Sequence, residues 1–177
     1  MGNAQVPGNA REAELARMMA AHGARLAGLC TALLKDAHLA QDVVQETFLR
    51  AYTRMDSFRG GHENSERAWL TRIAINLCRD QQRSRWLRLV DRRADPEPLF
   101  ASCAAGMDKE SLHLLWAVEQ LPPRLKEVVL LRYYNGMSTE EMAQALHISK
   151  SAAYRRLNKA CENLKRLLEG WDFDEAE

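Results

Sequence analysis

Lys150, Arg155, Arg156, Lys159, Lys165 and Arg166 crowd one stretch of the chain against the single acid Glu162. The whole chain carries 25 Lys plus Arg, 24 Asp plus Glu and a net charge of +1, so this local excess marks one surface and not a basic protein. Cations of this kind neutralise phosphates, and a helix that bears them can lie in a major groove with its first turns facing base edges. Ser149, Lys150, Ser151, Tyr154, Arg155, Arg156 and Lys159 are therefore candidate DNA contacts. For an isolated basic helix, a merely solvated face is an equal reading.

A second cationic set is spaced for one helix face. Arg72, Asn76, Arg79 and Arg83 step by four, three and four residues, with Ile73, Ala74 and Leu77 turned away. Just before them runs a polar loop, Arg59 to Arg67, with two glycines and with His62 and Asn64. Such a loop can accommodate an unstacked base, although most are simple connections. Trp69 could stack on a base, but at the head of an apolar stripe it is expected in the core. Asp42, Gln45, Glu46 and Leu49 form a different kind of face, acidic with an exposed leucine. Acids repel DNA, so the partner expected for it is a basic protein surface; a solvated polar face is the alternative.

The elements that must hold these faces are helical. Leu15, Met18, Met19, His22, Leu26, Leu29, Cys30 and Leu33 follow three-and-four spacing, which predicts a core-facing helix. Ala40, Val43, Val44, Thr47, Phe48, Ala51, Tyr52 and Met55 predict a second, ending before Ser57 and Gly60-Gly61. A third starts near Glu66 with Trp69, Leu70, Ile73, Ala74 and Leu77 inward and becomes Arg-rich through Arg93. No segment alternates with the period of two that a half-buried strand needs. The pattern lapses from Asp91 to Asp108, where Pro96 and Pro98 each bias the preceding residue away from helix.

Periodicity returns at Leu112, Leu115, Trp116, Val118 and Glu119, and restarts after Pro122-Pro123 with Leu125, Val128, Val129, Arg132 and Tyr133 on the inner side. Gly136 is a C-terminal cap. Ser138-Thr139-Glu140-Glu141 has the pattern of a capping box, opening a short helix with Met142, Ala143 and Leu146 inward. A break at His147-Ile148-Ser149 and an N-cap at Ser149 complete a helix-turn-helix whose corner Ile148 fills, without the glycine common in such turns. The expected fold is all-α, with two small helical domains joined by a flexible linker and a helix-turn-helix in the second. The expected divisions are 1–10, a disordered N-terminus; 11–90, a first domain; 91–108, a linker; 109–169, a second domain; and 170–177, an acidic tail. The tail, with Trp171 and Phe173 among its acids, could fold back over the basic helix or simply fray.

Several classes are excluded or disfavoured. No Ser/His/Asp set, Walker loop or paired carboxylate motif points to an enzyme. Cys30, Cys78, Cys103 and Cys161 are widely separated, and His22, His38, His62, His113 and His147 are scattered, so free thiols and no cofactor or metal are expected. Without a signal pattern or a long apolar run, the chain is expected to be cytoplasmic with no membrane insertion. An operator-binding regulator, whose first domain senses a signal or dimerises, is the main competing reading; the basic face of the first half speaks against it.

Taken in order, Asp42-Val43-Val44-Gln45-Glu46-Thr47-Phe48-Leu49-Arg50-Ala51, then Ala68 to Asn76 with Asp80 and Arg83, then Leu121-Pro122 through Arg132, Gly136-Met137-Ser138 and Glu141-Met142-Ala143 resemble the extracytoplasmic-function group of bacterial sigma factors, over roughly Glu12 to Leu168. The resemblance implies an alternative sigma factor that binds core RNA polymerase and directs promoter-specific transcription initiation. Asp42, Gln45, Glu46 and Leu49 would meet the coiled-coil clamp of the largest polymerase subunit. Arg59, His62, Asn64, Arg72, Asn76, Arg79 and Arg83 would read and open the minus-ten element. The Ser149 to Arg166 helix would read the minus-thirty-five element, and the linker would run toward the active-centre cleft and RNA exit path. Core RNA polymerase and promoter DNA are the implied partners, with an anti-sigma factor as a further candidate. Two departures stand out: Gln41 replaces the family's usual Glu, removing a charge from the docking face, and Ser151-Ala152-Ala153-Tyr154-Arg155-Arg156 replaces the usual opening of the recognition helix.

Overall fold

The computed structural model describes residues 8–58, 63–91 and 108–169, with no side-chain detail at 8, 9, 57, 63, 64 and 85–91. The described residues form α1 (Gly8–Leu34), α2 (Ala37–Thr53), a single tight turn at Met55–Ser57, α3 (Glu63–Asp91), α4 (Lys109–Glu119), α5 (Pro123–Val129), α6 (Thr139–Leu146) and α7 (Lys150–Glu169). There is no strand among them. The chain divides into two compact units, with α1 to α3 the body of one and α4, α5, α7 and α6 as far as Ala143 the body of the other. Residues 92–107 of the expected 91–108 linker, residues 1–7 of the expected N-terminal segment 1–10, the loop residues 59–62 and the tail 170–177 lie outside the described residues.

In the first unit α1, α2 and α3 pack on one another. The turn from α1 to α2 places Lys35 at a positive φ of 55°, and Asp36 caps α2 by accepting from the Leu39 amide at 3.0 Å. Met18, Leu26, Leu29 and Cys30 of α1, Ala40, Val43, Thr47, Phe48 and Ala51 of α2, and Leu70, Ala74, Ile75 and Cys78 of α3 are buried. Each fully buried aliphatic side chain here is worth ~1.5–3 kcal/mol over its exposed state. Thr47 sits in this core because its hydroxyl donates to the Val43 carbonyl at 2.7 Å.

Met19 was expected inward with Met18, but it is 50% exposed. One step of ~100° separates neighbours on a helix, and with Met18 at the centre of the buried stripe Met19 falls on its rim. The helix α3 buries more than the expected stripe. Ala68, Thr71, Ile75 and Cys78 are buried beside Leu70, Ile73, Ala74 and Leu77, because α3 packs against both α1 and α2.

In the second unit Asp108 caps α4, accepting from the Ser111 amide at 2.7 Å, and Pro123 opens α5 within its first turn. The core includes Ala117, Leu121, Val128, Leu131, Met137 and Met142. The Lys126 ammonium donates to Glu119 at 2.5 Å, each side chain at most 10% exposed, so this buried pair ties the end of α4 to α5 with neither charge left alone. After α5 the chain widens into a π-helical turn over Leu130–Tyr134. Its Asn135 amide donates to Leu130 at 2.9 Å and the Met137 amide to Leu131 at 2.9 Å.

The wide turn explains a failed expectation: Arg132 and Tyr133 do not lie inward, and Tyr133 is 67% exposed. Periodicity of 3.6 residues does not hold through a π turn. Likewise Trp116 is 39% exposed while His113 and Ala117 hold the buried side of α4. Gly136 takes φ +63°, the left-handed cap conformation expected of it.

Candidate polymerase and nucleic-acid interfaces

The capping box forms. Glu141 accepts from the Ser138 amide at 2.8 Å and the Ser138 hydroxyl accepts from the Glu141 amide at 3.2 Å. The missing glycine of the turn is replaced by His147, which adopts φ 54°, while the Ile148 amide donates to the Ala143 carbonyl at 3.0 Å. Ser149 then caps α7, its hydroxyl accepting from the Ala152 amide at 3.2 Å. A second hydroxyl, that of Ser151, lies 3.1 Å from it.

From this start α7 is fixed by one narrow stripe, with Ala153 and Ala160 buried seven residues apart. It packs on α4 and α5, and small alanines permit that close approach. Ser149, Lys150, Ser151, Tyr154, Arg155 and Lys159 are exposed and Arg156 is half-buried. Lys150 reaches Glu140 at the start of α6, 3.4 Å away, and Lys165 pairs with Glu169 at 3.4 Å. The Lys150–Glu140 pair joins the two helices of the motif, a link that no local pattern announces because it spans the turn. On the flank of α7 the Tyr133 hydroxyl lies 3.6 Å from the Cys161 thiol, and that thiol raises the tyrosine's pKa from its ordinary value.

On α3, Asn76 and Arg83 are exposed, whereas Arg72 and Arg79 are half-buried. Arg59 and His62 lie outside the described residues, as does the Asn64 side chain. Trp69 is half-buried and stacks on Phe58, with ring centroids 4.6 Å apart and planes at 21°. This stack ties the first turns of α3 to the end of the preceding segment.

The outer face of α2 carries Gln41, Asp42 and Gln45, all exposed, with Leu49 58% exposed. Val43, Thr47 and Phe48 hold the opposite side in the core. Glu46 accepts from Arg50 at 2.7 Å, so part of its charge is compensated within the helix. Four exposed positions on one rigid helix thus present an acid, two amides and a leucine together.

One cluster was missed in the sequence. The Glu66 carboxylate, 5% exposed in the first turn of α3, is shared between Arg17 and His22 of α1. His22 Nε2 donates to Glu66 Oε1 at 2.8 Å, and His22 is itself 6% exposed. Arg17 also pairs with Glu14 at 2.8 Å, and that hydrogen bond holds the Glu14 carboxyl below its ordinary pKa. Spacing shows His22 only as one of an apolar stripe, and Glu66 only where the polar loop meets the third helix, because the pair spans 44 residues.

Residues 18–88 match the family Sigma-70 region 2, and residues 114–164 match Sigma-70, region 4. The chain is 34% identical over 157 residues to the RNA polymerase sigma factor CarQ of Myxococcus xanthus, covering 85% of this chain and 87% of that one. It is 30% identical over 153 residues to the ECF RNA polymerase sigma factor SigW of Bacillus subtilis, covering 79% and 81%. Among solved structures, CnrH in complex with the cytosolic domain of CnrY matches with a TM-score of 0.66 and 28% identity, covering 91% of each chain. Sigma factors are initiation factors and not enzymes, and they act by binding core RNA polymerase and promoter DNA. No helix among the described residues is long and apolar enough to cross a membrane. With both regions matched in order on an all-helical, two-unit frame, this chain belongs to the ECF RNA polymerase sigma factors and directs promoter-specific transcription initiation.

Proposed function

We propose a division of that activity among three surfaces. Asp42, Gln45, Glu46 and Leu49 of α2 dock on the coiled-coil clamp of the largest polymerase subunit. Arg59, His62, Asn64, Arg72, Asn76, Arg79 and Arg83 contact the minus-ten element, and Ser149, Lys150, Ser151, Tyr154, Arg155, Arg156 and Lys159 contact the minus-thirty-five element. Residues 11–90 and 109–169 are the two functional domains, joined by 91–108. The observation that carries this reading is the pairing of opposite chemistries on rigid helices. The exposed face of α2 offers Asp42 and Leu49 to a protein, and that of α7 offers cations to phosphates.

The chain is proposed to act in the cytoplasm, where polymerase and promoter meet. An anti-sigma factor is proposed as a further partner; CnrH, to which this chain is similar, was solved with a protein bound, the cytosolic domain of CnrY. Docking is tested by Asp42→Arg, which reverses the charge on an exposed position that contributes nothing to the core. Pull-down with core polymerase should show affinity reduced about tenfold or more, and run-off transcription should fall with it. Unchanged core affinity would remove α2 as the docking face.

A further inference from the structure

In the Arg17, His22 and Glu66 cluster, the His22–Glu66 pair is buried in a largely apolar three-helix core, and Arg17 reaches the same carboxylate from the exposed side. Glu66 sits in the first turn of α3, where the helix dipole favours a carboxylate. Three residues on, Trp69 stacks on Phe58. Apolar surfaces are tolerant of sliding and rotation, whereas a carboxylate shared by a guanidinium and an imidazole is directional. Buried ionic contacts are often no more stabilising than apolar replacements of like volume, and their best-attested use is to fix register.

We propose that Glu66 is a positioning residue for promoter opening: held by Arg17 and His22 of α1, it sets the axial position and rotation of α3, and so aims Arg72 and Asn76 at the minus-ten element. Neither Glu66 nor His22 touches DNA, since both are buried. Glu66 acts through the helix it anchors. The inference rests on the reading that the face of α3 contacts that element.

The test separates positioning from stability. His22→Phe with Glu66→Leu replaces the polar contact by packing of similar volume. Holoenzyme assembled with this double variant should retain core affinity and a thermal midpoint close to the parent's, while permanganate reactivity of the minus-ten strand falls about fivefold, within the range of changes that act without touching ligand. Glu66→Gln keeps the shape and a hydrogen bond to His22 but weakens the tie to Arg17. It should fold as the parent does and lose about twofold in opening, so it serves if the double variant does not fold. Opening unchanged at intact core affinity overturns the proposal. So does a loss of opening that merely tracks lost stability and lost core binding. Asn76→Ala in the same assay tests the underlying reading: if opening survives that change, the α3 contact itself is wrong and the proposal falls with it. If Asn76→Ala impairs opening and both Glu66 variants do not, only the positioning role fails.

Discussion

The helices proposed to face DNA in the two units are built on different terms. α3 packs against both α1 and α2, with the consecutive residues Ile73, Ala74 and Ile75 all buried, and between Ser65 and Asp80 the exposed positions are Asn76 and Asp80. α7 rests on α4 and α5 through Ala153 and Ala160 and presents most of its circumference. In the second unit, then, the proposed reading surface is nearly separate from what stabilises the fold. In the first it is continuous with the core and, through that core, with the helix proposed to dock on polymerase. Changes to the α7 face should alter which DNA is bound and little else, whereas truncations on the apolar core side of α3 should disturb folding, docking and opening together.

The largest effect expected from this contrast is at Leu70, which is fully buried in α3. Leu70→Ala should cost ~2–5 kcal/mol in urea unfolding and lower core affinity as well as DNA binding. A cost under ~1 kcal/mol would show that α3 is far less integral than its burial implies. Next is Arg155→Ala on α7. Footprinting should show upstream-element binding weaker by ~1–3 kcal/mol if the contact is bidentate to a base, with stability changed by no more than ~0.5 kcal/mol. Loss of stability comparable to that at Leu70 would abolish the distinction between the two helices.

Legibility from sequence follows the same division. Features closed within a few residues could be read directly: the Ser138–Glu141 box, the Ser149 cap and the Gly136 cap all formed. The helical periods and the order of motifs sufficed for architecture and family. What could not be read joins residues distant in the chain or depends on departures from 3.6-residue periodicity. Glu66 with His22 is of the first kind and Tyr133, turned outward by a π turn, is of the second. His147 supplies the positive φ that a glycine usually takes, so the turn formed without the residue type that would have announced it. On α3, the face spacing placed Arg72 and Arg79 beside Asn76 correctly in register, yet their half-burial depends on neighbours that spacing does not describe.

A smaller effect tests how independent the scaffold of α7 is. Ser138→Ala removes the acceptor for the Glu141 amide and should cost ~1 kcal/mol. That loss should appear as weaker minus-thirty-five binding near the thermal midpoint, with core docking through α2 retained. Equal loss at both surfaces would mean that the units are energetically one.

The smallest expected effect is proton-linked and lies at the start of α4. The Ser111 amide, and after it the Ser111 hydroxyl, hold the Asp108 carboxyl below its ordinary pKa. The folded state therefore binds fewer protons at this site than the unfolded chain, and stability rises with pH across the window between the two values. The contribution is complete above the unfolded carboxylate value of about 3.9 and is lost as pH falls through the lower folded one. Asp108→Asn keeps an oxygen acceptor at the cap but removes the titration. Because the site is exposed and screened, neutral stability should change little, and the variant's acid-unfolding curve, followed by circular dichroism, should lack this part of the pH dependence. Since α7 packs on α4, upstream-element binding by the parent should weaken in acid in step with that cap, and the asparagine variant should not share this component. Superimposable acid curves would mean that the cap does not feel its proton, and that α7 is supported by α5 far more than by α4.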